Sequence, residues 1–150
     1  GNAGDCYASF DVTDAYVIDK LHFPTTWENG CVYLVKENIT CNDPITIAGD
    51  VYLVVENGAT LTLNNGGRII LTEGNTLTVS SGIFAHTGKL VVSATGDDPA
   101  VGSPSLYGYR NLGSNEWPPN AANAGTLNLI LAHVVLTAEN APAFGGGKQH

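Results

Sequence analysis

The sequence contains no methionine and few charged side chains, and the lack of charged residues argues against some classes of protein. Charged residues make up 13% of the chain, about half the usual share. Six Lys and Arg stand against 14 Asp and Glu, so the net charge is 6 − 14 = −8. The scarcity of Lys, Arg and Glu argues against a helical bundle. Because a negative chain repels phosphate backbones, we predict that nucleic acid is not a partner.

Long apolar runs are also missing. No stretch approaches the roughly 18 to 20 apolar residues of a membrane span, and no Lys/Arg-led apolar stretch at the start resembles a signal peptide. We therefore predict no membrane insertion. The 150 residues suit one domain, and 18 of them are glycine, with Thr, Asn and Val also plentiful. This is a composition of strands and turns.

The sequence has only three cysteines, Cys6, Cys31 and Cys41. Their spacing lacks the Cys-x-x-Cys pairs of a zinc site or redox motif, and it favours a secreted chain with one disulfide and one leftover thiol. Cys31 and Cys41, which flank segment 32–40, are the predicted pair, although either is able to pair with Cys6 instead. The alternative is three reduced, buried cysteines in a cytosolic protein.

Glycines recur mostly eight or nine residues apart between positions 49 and 96, and short apolar alternations separate them. Segment 49–55 is echoed 25 residues later by segment 74–79, and again by segment 125–130. A repeat period in the twenties indicates a solenoid. With a rise of about 3.3 Å per residue, three short strands and their turns close one coil of a triangular parallel β-helix. We predict an all-β fold, a β-solenoid of about three to four coils.

Alternation within the strands supports this fold. In segments 60–63 and 76–79 the leucines and Val79 are predicted to point inward and the threonines outward. An antiparallel sandwich also alternates, and Asn57-Gly58 is a hairpin signal that favours it. Turn-forming residues at 64–67 and 73–75 recur at the spacing of solenoid corners, and they favour the β-solenoid.

The repeat carries a resemblance to a known family. Residues from about Trp27 to Gly147 resemble the secreted, Gly/Thr-rich β-helix modules of anaerobic gut and cellulose-degrading bacteria, often labelled carbohydrate-binding-domain proteins. The segments that carry the resemblance are 27–35, 38–40, 45–47, 49–61, 74–79, 88–90, 124–129 and 140–147. The resemblance implies a right-handed parallel β-helix, a secreted or cell-surface location and, in some members, binding of acidic plant polysaccharide with calcium. The chain departs from the family at Cys31, at Cys41 and in an insertion after Gly102.

The repeat also divides the chain. Residues 1–26 lie outside it and are predicted to be an N-terminal cap or extension, whereas residues 27–150 form the solenoid. A solenoid end exposes strand edges and an open apolar interior, which a cap covers. The aromatic residues available for this plug are Tyr7, Phe10, Tyr16, Phe23 and Trp27. At the other end the chain finishes on a coil joint, so end-to-end stacking into a filament is a hypothesis.

The insertion at 102–123 is the predicted ligand site. It is rich in flat aromatic rings, on which a pyranose ring can stack, and in side chains that can bond hydroxyls or a carboxylate. The predicted ligand-binding residues are Tyr107, Tyr109, Arg110, Asn115 and Trp117. The alternative is that these aromatics seal the flank of the solenoid or contact a neighbouring subunit.

Two adjacent carboxylates, Asp97 and Asp98, precede the insertion and are candidate ligands for calcium, which prefers six to eight oxygens. They also fit an ordinary turn. No other cofactor is required by the sequence. The four histidines show no zinc spacing and no nucleophile partner.

Nothing in the strands resembles a catalytic constellation, because they carry mostly Thr, Val, Leu and Asn. We therefore predict a non-catalytic extracellular or cell-surface module that acts in adhesion or polysaccharide binding. The first alternative is a structural subunit that self-associates through its coil ends into a filament. The second is a fragment of a polysaccharide lyase or hydrolase.

Overall fold

The computed structural model describes residues 15–82, 85–104 and 123–147. Every regular element in these ranges is a β-strand, and so the described residues contain no helix that could cross a membrane. The strands are β1 Tyr16–Ile18, β2 Thr26–Trp27, β3 Val32–Val35, β4 Ile39–Cys41, β5 Pro44–Ile47, β6 Asp50–Val55, β7 Thr60–Leu63, β8 Arg68–Ile70, β9 Thr76–Ser81, β10 Lys89–Ala94, β11 Val101–Ser103, β12 Thr126–Ile130, β13 His133–Ala138 and β14 Phe144–Gly146.

The strands form three sheets, and from β3 onward successive strands pass from the first sheet to the second, the third and back to the first. The first sheet has the order β1-β3-β6-β9-β12, the second β4-β7-β10-β13 and the third β2-β5-β8-β11-β14. All of the pairings between these strands are parallel. This confirms an all-β fold of parallel strands, compatible with a β-solenoid. We call three consecutive strands, one from each sheet, a layer.

The antiparallel sandwich is excluded for the described strands by these parallel pairings. The hairpin signal Asn57-Gly58 lies between β6 in the first sheet and β7 in the second, and so it turns a corner instead of joining two paired strands. Gly58 has a φ of +82°, a left-handed conformation that costs glycine little. The same corner chemistry gives positive φ values at Asn65, Gly66 and Gly74.

The core lies between the three sheets and contains the inward residues of each strand. Leu61, Leu63, Leu77 and Val79 are buried, whereas the threonines that alternate with them are partly exposed. The predicted inward and outward faces are therefore confirmed. Because the inward positions of parallel strands stack in register, each apolar side chain packs on those of the neighbouring layers, which stabilises the fold by about 25 cal/mol per Å² of apolar surface buried.

The register differs by one residue from the predicted repeat. The echo of segment 49–55 in segment 74–79 implies a step of 25, but Val51 pairs with Leu77, a step of 77 − 51 = 26. A step of 25 would have placed Val51 beside Thr76. Since neighbouring residues of a strand point to opposite faces, that one-residue slip would have turned the apolar side chains outward.

Asparagine side chains join successive layers at the corners. The Asn29 Oδ1 atom accepts the backbone N–H of Asp50 at 2.8 Å, and Asn38 Oδ1 accepts that of Thr60 at 2.9 Å. Asn75 does the same in the opposite direction along the stack, since its Oδ1 accepts the Gly49 N–H at 2.7 Å. Corner N–H groups have no strand partner, and so these side chains satisfy donors that would otherwise be left without a protein acceptor.

Three of the aromatic residues predicted to plug one end of the core, Tyr16, Phe23 and Trp27, have their rings at that end. The Trp27 ring stacks on the Tyr33 ring, with centroids 4.9 Å apart and planes 15° from parallel. The rings of Tyr16 and Phe23 lie 5.8 Å from Tyr33 and 6.5 Å from Trp27. In the same segment β1 and β2 pair with β3 and β5 as edge strands. Tyr7 and Phe10 lie outside the described residues, and the boundary at residue 26 stays a prediction.

The predicted pairing of Cys31 with Cys41 is wrong. Cys41 carries a free and buried thiol, which lies in β4 and places its Sγ atom 3.6 Å from the carbonyl oxygen of Asp43. Cys31 precedes β3 in the first sheet and is not among the free thiols. Strand β3 and the corner after it lie between the two residues. Cys31 therefore lies at the start of the first sheet's strand, whereas Cys41 lies in β4 of the second sheet. Cys6, the third cysteine of the sequence, lies outside the described residues.

We expect that Cys41 reacts slowly with iodoacetamide in the folded protein. Burial raises the pKa of the Cys41 thiol, so the reactive thiolate is scarce near neutral pH. Peptide mapping after unfolding without reductant should then find Cys41 alkylated. Fast labelling of native Cys41 would contradict this prediction.

Candidate functional site

The ligand site predicted from the sequence lies outside the described residues. This holds for all five of its members, Tyr107, Tyr109, Arg110, Asn115 and Trp117. The described chain leaves the third sheet after β11 and returns to the first sheet at β12. Leu77 in β9 pairs with Leu127 in β12, a step of 127 − 77 = 50 residues. The insertion therefore takes up about one extra repeat between neighbouring strands of the first sheet.

The predicted calcium ligands Asp97 and Asp98 lie in the turn that follows β10. Asp98 faces Arg68 of β8, whose Nε atom is 3.6 Å from the carboxylate Oδ2. A guanidinium beside a carboxylate competes with a cation for it. Within the described ranges no group of three or more His, Cys, Asp or Glu side chains is placed to hold a metal ion. The calcium site at Asp97 and Asp98 stays a prediction, because the described residues place no third His, Cys, Asp or Glu side chain beside them.

A cleft of about 380 Å³ opens on the outer face of the first sheet, and we call it the outer cleft. Its lining combines apolar, hydroxyl and imidazole groups from the three neighbouring strands β6, β9 and β12 and from the corners that follow β9 and β12. The residues that line it are Tyr52, Thr78, Ser80, Ser81, His86, Ile130 and Leu131. Such a mostly apolar concavity with a few polar groups is the usual form of a small-ligand site.

Strand register builds the outer cleft. Tyr52 pairs with Thr78 across β6 and β9, and Ser80 pairs with Ile130 across β9 and β12. The side chains of Tyr52, Thr78 and Ser80 point away from the core, because they alternate with buried residues along their strands, and Ile130 lies in register with Ser80 on the same face. The column of outward residues continues from Thr78 to Asn128, whose Nδ2 atom lies 3.5 Å from the Thr78 hydroxyl. Aromatic, hydroxyl and amide groups are thus arrayed along one sheet face.

The corner between β9 and β10 supplies the polar wall of the outer cleft. The Ser81 hydroxyl accepts the backbone N–H of Gly88 at 2.7 Å, which fixes this corner against the sheet. His86 has a φ of +53°, and its buried Nδ1 atom has no hydrogen-bond partner among the residues that the structure describes. A buried polar atom without a partner is uncommon in proteins.

Sequence reasoning missed the outer cleft. Tyr52 stands in an apolar strand, and His86 matches no zinc or catalytic spacing, so the sequence marks neither as a site residue. The only available signal was the outward position of Tyr52 in a segment whose other large residues are aliphatic. The remaining lining comes from Ile130 and Leu131, which are far along the chain and reach the cleft only through the pairing of β9 with β12.

A second feature is the exposed layer β12–β14, which we call the terminal layer. Its strands are the outermost members of the three sheets. Leu129 pairs with Val79 and has the same inward orientation, yet Leu129 is 51% exposed and Val79 1%. Phe144 pairs with Val101, and their exposures are 43% and 0%. The difference arises because no further described layer packs over Leu129 and Phe144.

The opposite end of the stack is covered. Its outermost strands are β1, β4 and β2, and their inward side chains Ile18, Ile39 and Trp27 are buried. The two ends also differ in charge. The segment around β1 and β2 carries Asp19, Lys20 and Glu28, whereas Glu139 is the one charged residue besides histidine between residues 123 and 147.

No protein-family model matches this chain, and neither the curated proteins nor the solved structures contain a match. The resemblance to secreted carbohydrate-binding-domain modules therefore stays a prediction, which rests on the repeat segments alone.

Proposed function

We propose that this chain is a non-catalytic β-solenoid module, a right-handed parallel β-helix, that acts at the cell surface or outside the cell by binding polysaccharide. The observation that supports binding best is the outer cleft, where Tyr52 stands beside hydroxyl groups and the His86 imidazole. A pyranose ring has apolar C–H faces and polar edges, so it suits a lining that mixes an aromatic ring with hydroxyls.

The absence of a catalytic role is part of the same proposal. The polar groups of the outer cleft are hydroxyls, one imidazole and no carboxylate, whereas glycoside hydrolysis uses a pair of carboxylates across the sugar. Lyase chemistry needs a base beside an acidic C–H group. Arg68, the one arginine among the described residues, faces Asp98 on the third sheet instead.

We expect that Tyr52→Ala weakens binding to a polysaccharide found by glycan array about threefold to tenfold, since an aromatic contact contributes about 0.5–1.5 kcal/mol. Tyr52→Phe keeps the ring and should retain most of the affinity. Thr62→Ala, on the outward face of the second sheet, is the matched control and should bind as the unchanged protein does. Affinities from isothermal titration calorimetry test these expectations.

Two further comparisons separate this site from the insertion. If Trp117→Ala abolishes binding while Tyr52→Ala leaves it unchanged, the sugar contacts the insertion and the outer cleft is not the site. A chelator arm tests the calcium prediction at Asp97 and Asp98, because loss of binding in chelator would show that calcium bridges the chain and the polysaccharide. If no glycan binds, the polysaccharide function is wrong.

A second function is favoured by the terminal layer. Exposure of the inward residues Leu129 and Phe144 fits a structural subunit that associates through this layer, because another β-layer packed on it would bury these apolar side chains. This function does not depend on the outer cleft, and light scattering of the purified chain tests it.

A further inference from the structure

We propose that Asn65 is a site of spontaneous deamidation, at which its side-chain amide is converted to aspartate or isoaspartate. The sequence contains three Asn-Gly pairs, at 29–30, 57–58 and 65–66, and all three asparagines are exposed. Neither the dipeptide nor access to solvent therefore distinguishes them. The hydrogen bonds at their corners distinguish them, whatever ligand the protein binds.

Deamidation of an Asn-Gly pair begins when the glycine backbone nitrogen attacks the side-chain Cγ atom of the asparagine. The N–Cγ bond forms, the Cγ–Nδ2 bond breaks, and the amide nitrogen leaves as ammonia with the proton that the glycine nitrogen loses. Water then opens the resulting succinimide ring at either carbonyl carbon, which gives aspartate or isoaspartate. Glycine permits the attack because it has no β-carbon to crowd the nitrogen. The reaction is therefore fastest where the glycine N–H has no acceptor and the asparagine side chain can rotate.

The first Asn-Gly pair is held by a single residue of the next layer. Asn29 Oδ1 accepts the backbone N–H of Asp50 at 2.8 Å, and the Gly30 N–H donates to the Asp50 carbonyl oxygen at 2.6 Å. Both reacting groups are engaged, and both bonds must break before the Gly30 nitrogen can reach Asn29 Cγ. Asn29 is therefore protected although it is exposed to solvent.

The second pair has the same arrangement with a different partner. Asn57 Oδ1 accepts the Thr87 backbone N–H at 3.1 Å, and the Gly58 N–H donates to the Thr87 hydroxyl at 3.0 Å. One residue of the next layer again holds the amide that would be attacked and the nitrogen that would attack it. Deamidation here must wait for the corner to open, and such local opening costs free energy.

Asn65 lacks both restraints. At its corner, between β7 and β8, Asn64 makes the contact with the neighbouring layer, since Asn42 Nδ2 donates to Asn64 Oδ1 at 2.9 Å and to its carbonyl oxygen at 3.0 Å. The Asn65 Nδ2 atom lies 3.5 Å from Asn64 Oδ1, beyond the usual range of N–H···O hydrogen bonds. The Gly66 N–H has no acceptor among the described residues. The Asn65 side chain and the Gly66 nitrogen are thus both available for the reaction.

The test incubates the full folded chain at mildly alkaline pH, which promotes loss of the glycine N–H proton, and follows each asparagine by tandem mass spectrometry. We expect Asn65 to convert at least roughly tenfold faster than Asn29 or Asn57, because each of these must first lose two hydrogen bonds. One conversion changes the net charge from −8 to −8 − 1 = −9. Ion exchange should therefore resolve one main acidic product early in the incubation.

Two variants make the test specific. Asn65→Gly removes the amide, suits the φ of +49° at this position and should eliminate the early acidic product. Thr87→Val removes the hydroxyl that accepts the Gly58 N–H and keeps a side chain of similar size. It should speed conversion of Asn57 about twofold to tenfold and leave Asn29 unchanged. Circular dichroism checks that both variants fold.

The unfolded chain supplies the matched control. In urea the corners are lost, so the three pairs should convert at similar rates. A preference for Asn65 that persists in urea would show that its sequence neighbours, and not the corner, set its rate. Conversion of Asn29 or Asn57 as fast as Asn65 in the folded chain would overturn the proposal. The same holds for an Asn65 that stays intact while the unfolded chain deamidates.

Discussion

Replacing Trp27 by Ala is expected to lower the free energy of unfolding by about 3–5 kcal/mol, the usual range for deleting a buried large aromatic side chain. Trp27 is fully buried at the covered end of the core. Its ring stacks on Tyr33 at 4.9 Å, and its Nε1 donates to the Pro24 carbonyl oxygen at 2.9 Å. The substitution removes the stack and the hydrogen bond, and it opens a cavity that β2, a two-residue strand, has little means to close.

Urea unfolding followed by circular dichroism measures this effect. Trp27→Phe is the control, because it keeps an aromatic ring beside Tyr33 but removes the indole N–H. It should cost about 1–3 kcal/mol, since the Pro24 carbonyl loses its donor and some volume is lost. A loss below about 1 kcal/mol for Trp27→Ala would show that this end of the core is not packed as described.

Gly88→Ala is expected to destabilise the protein by about 3 kcal/mol, although its backbone needs no glycine conformation. A β-carbon at Gly88 would overlap the Val55 carbonyl oxygen and lie 2.8 Å from that of Glu56. Both atoms are backbone of the preceding layer, so they cannot rotate away as a side chain would. The corner before β10 must then lift from the layer beneath it and break the hydrogen bond from the Gly88 N–H to Ser81.

Gly58→Ala supplies the comparison for this prediction. Gly58 has a φ of +82°, and a β-carbon there would meet nothing within 4 Å. Its cost should be only the strain of a left-handed alanine, about 1 kcal/mol. Thermal unfolding of both variants compares two losses of stability. The loss in Gly88→Ala measures the steric clash between layers, and the loss in Gly58→Ala measures the strain of the left-handed backbone. Equal losses would mean that the layers at Gly88 are not in close contact.

The periodicity of the sequence predicted much of the fold. The alternation in segments 60–63 and 76–79 identified the inward residues, because side chains of a strand alternate between faces whatever sheet the strand joins. Glycine and asparagine at 64–67 marked a corner, since these residues adopt positive φ at low cost. These are local properties, which is why they were visible without the tertiary structure.

The pairings between distant residues were not accessible in the same way. The one-residue difference in register between Val51 and Leu77 depends on which apolar side chains stack between layers. The cysteine assignment failed for a related reason, because nearness along the sequence does not place Cys31 and Cys41 in one sheet. The outer cleft joins Tyr52 to Ile130 through an intervening strand, and no local pattern connects them.

What the sequence determined by itself is the repeating strand-and-corner unit and its apolar side, because both follow from the conformational preferences of single residues and their neighbours. Only the tertiary structure decided which strands meet, where a cleft opens and which end of the stack is left uncovered. Those features depend on contacts between residues some 20 to 50 positions apart, as in the pairing of Leu77 with Leu127, and the free energy of such contacts is set by packing between layers.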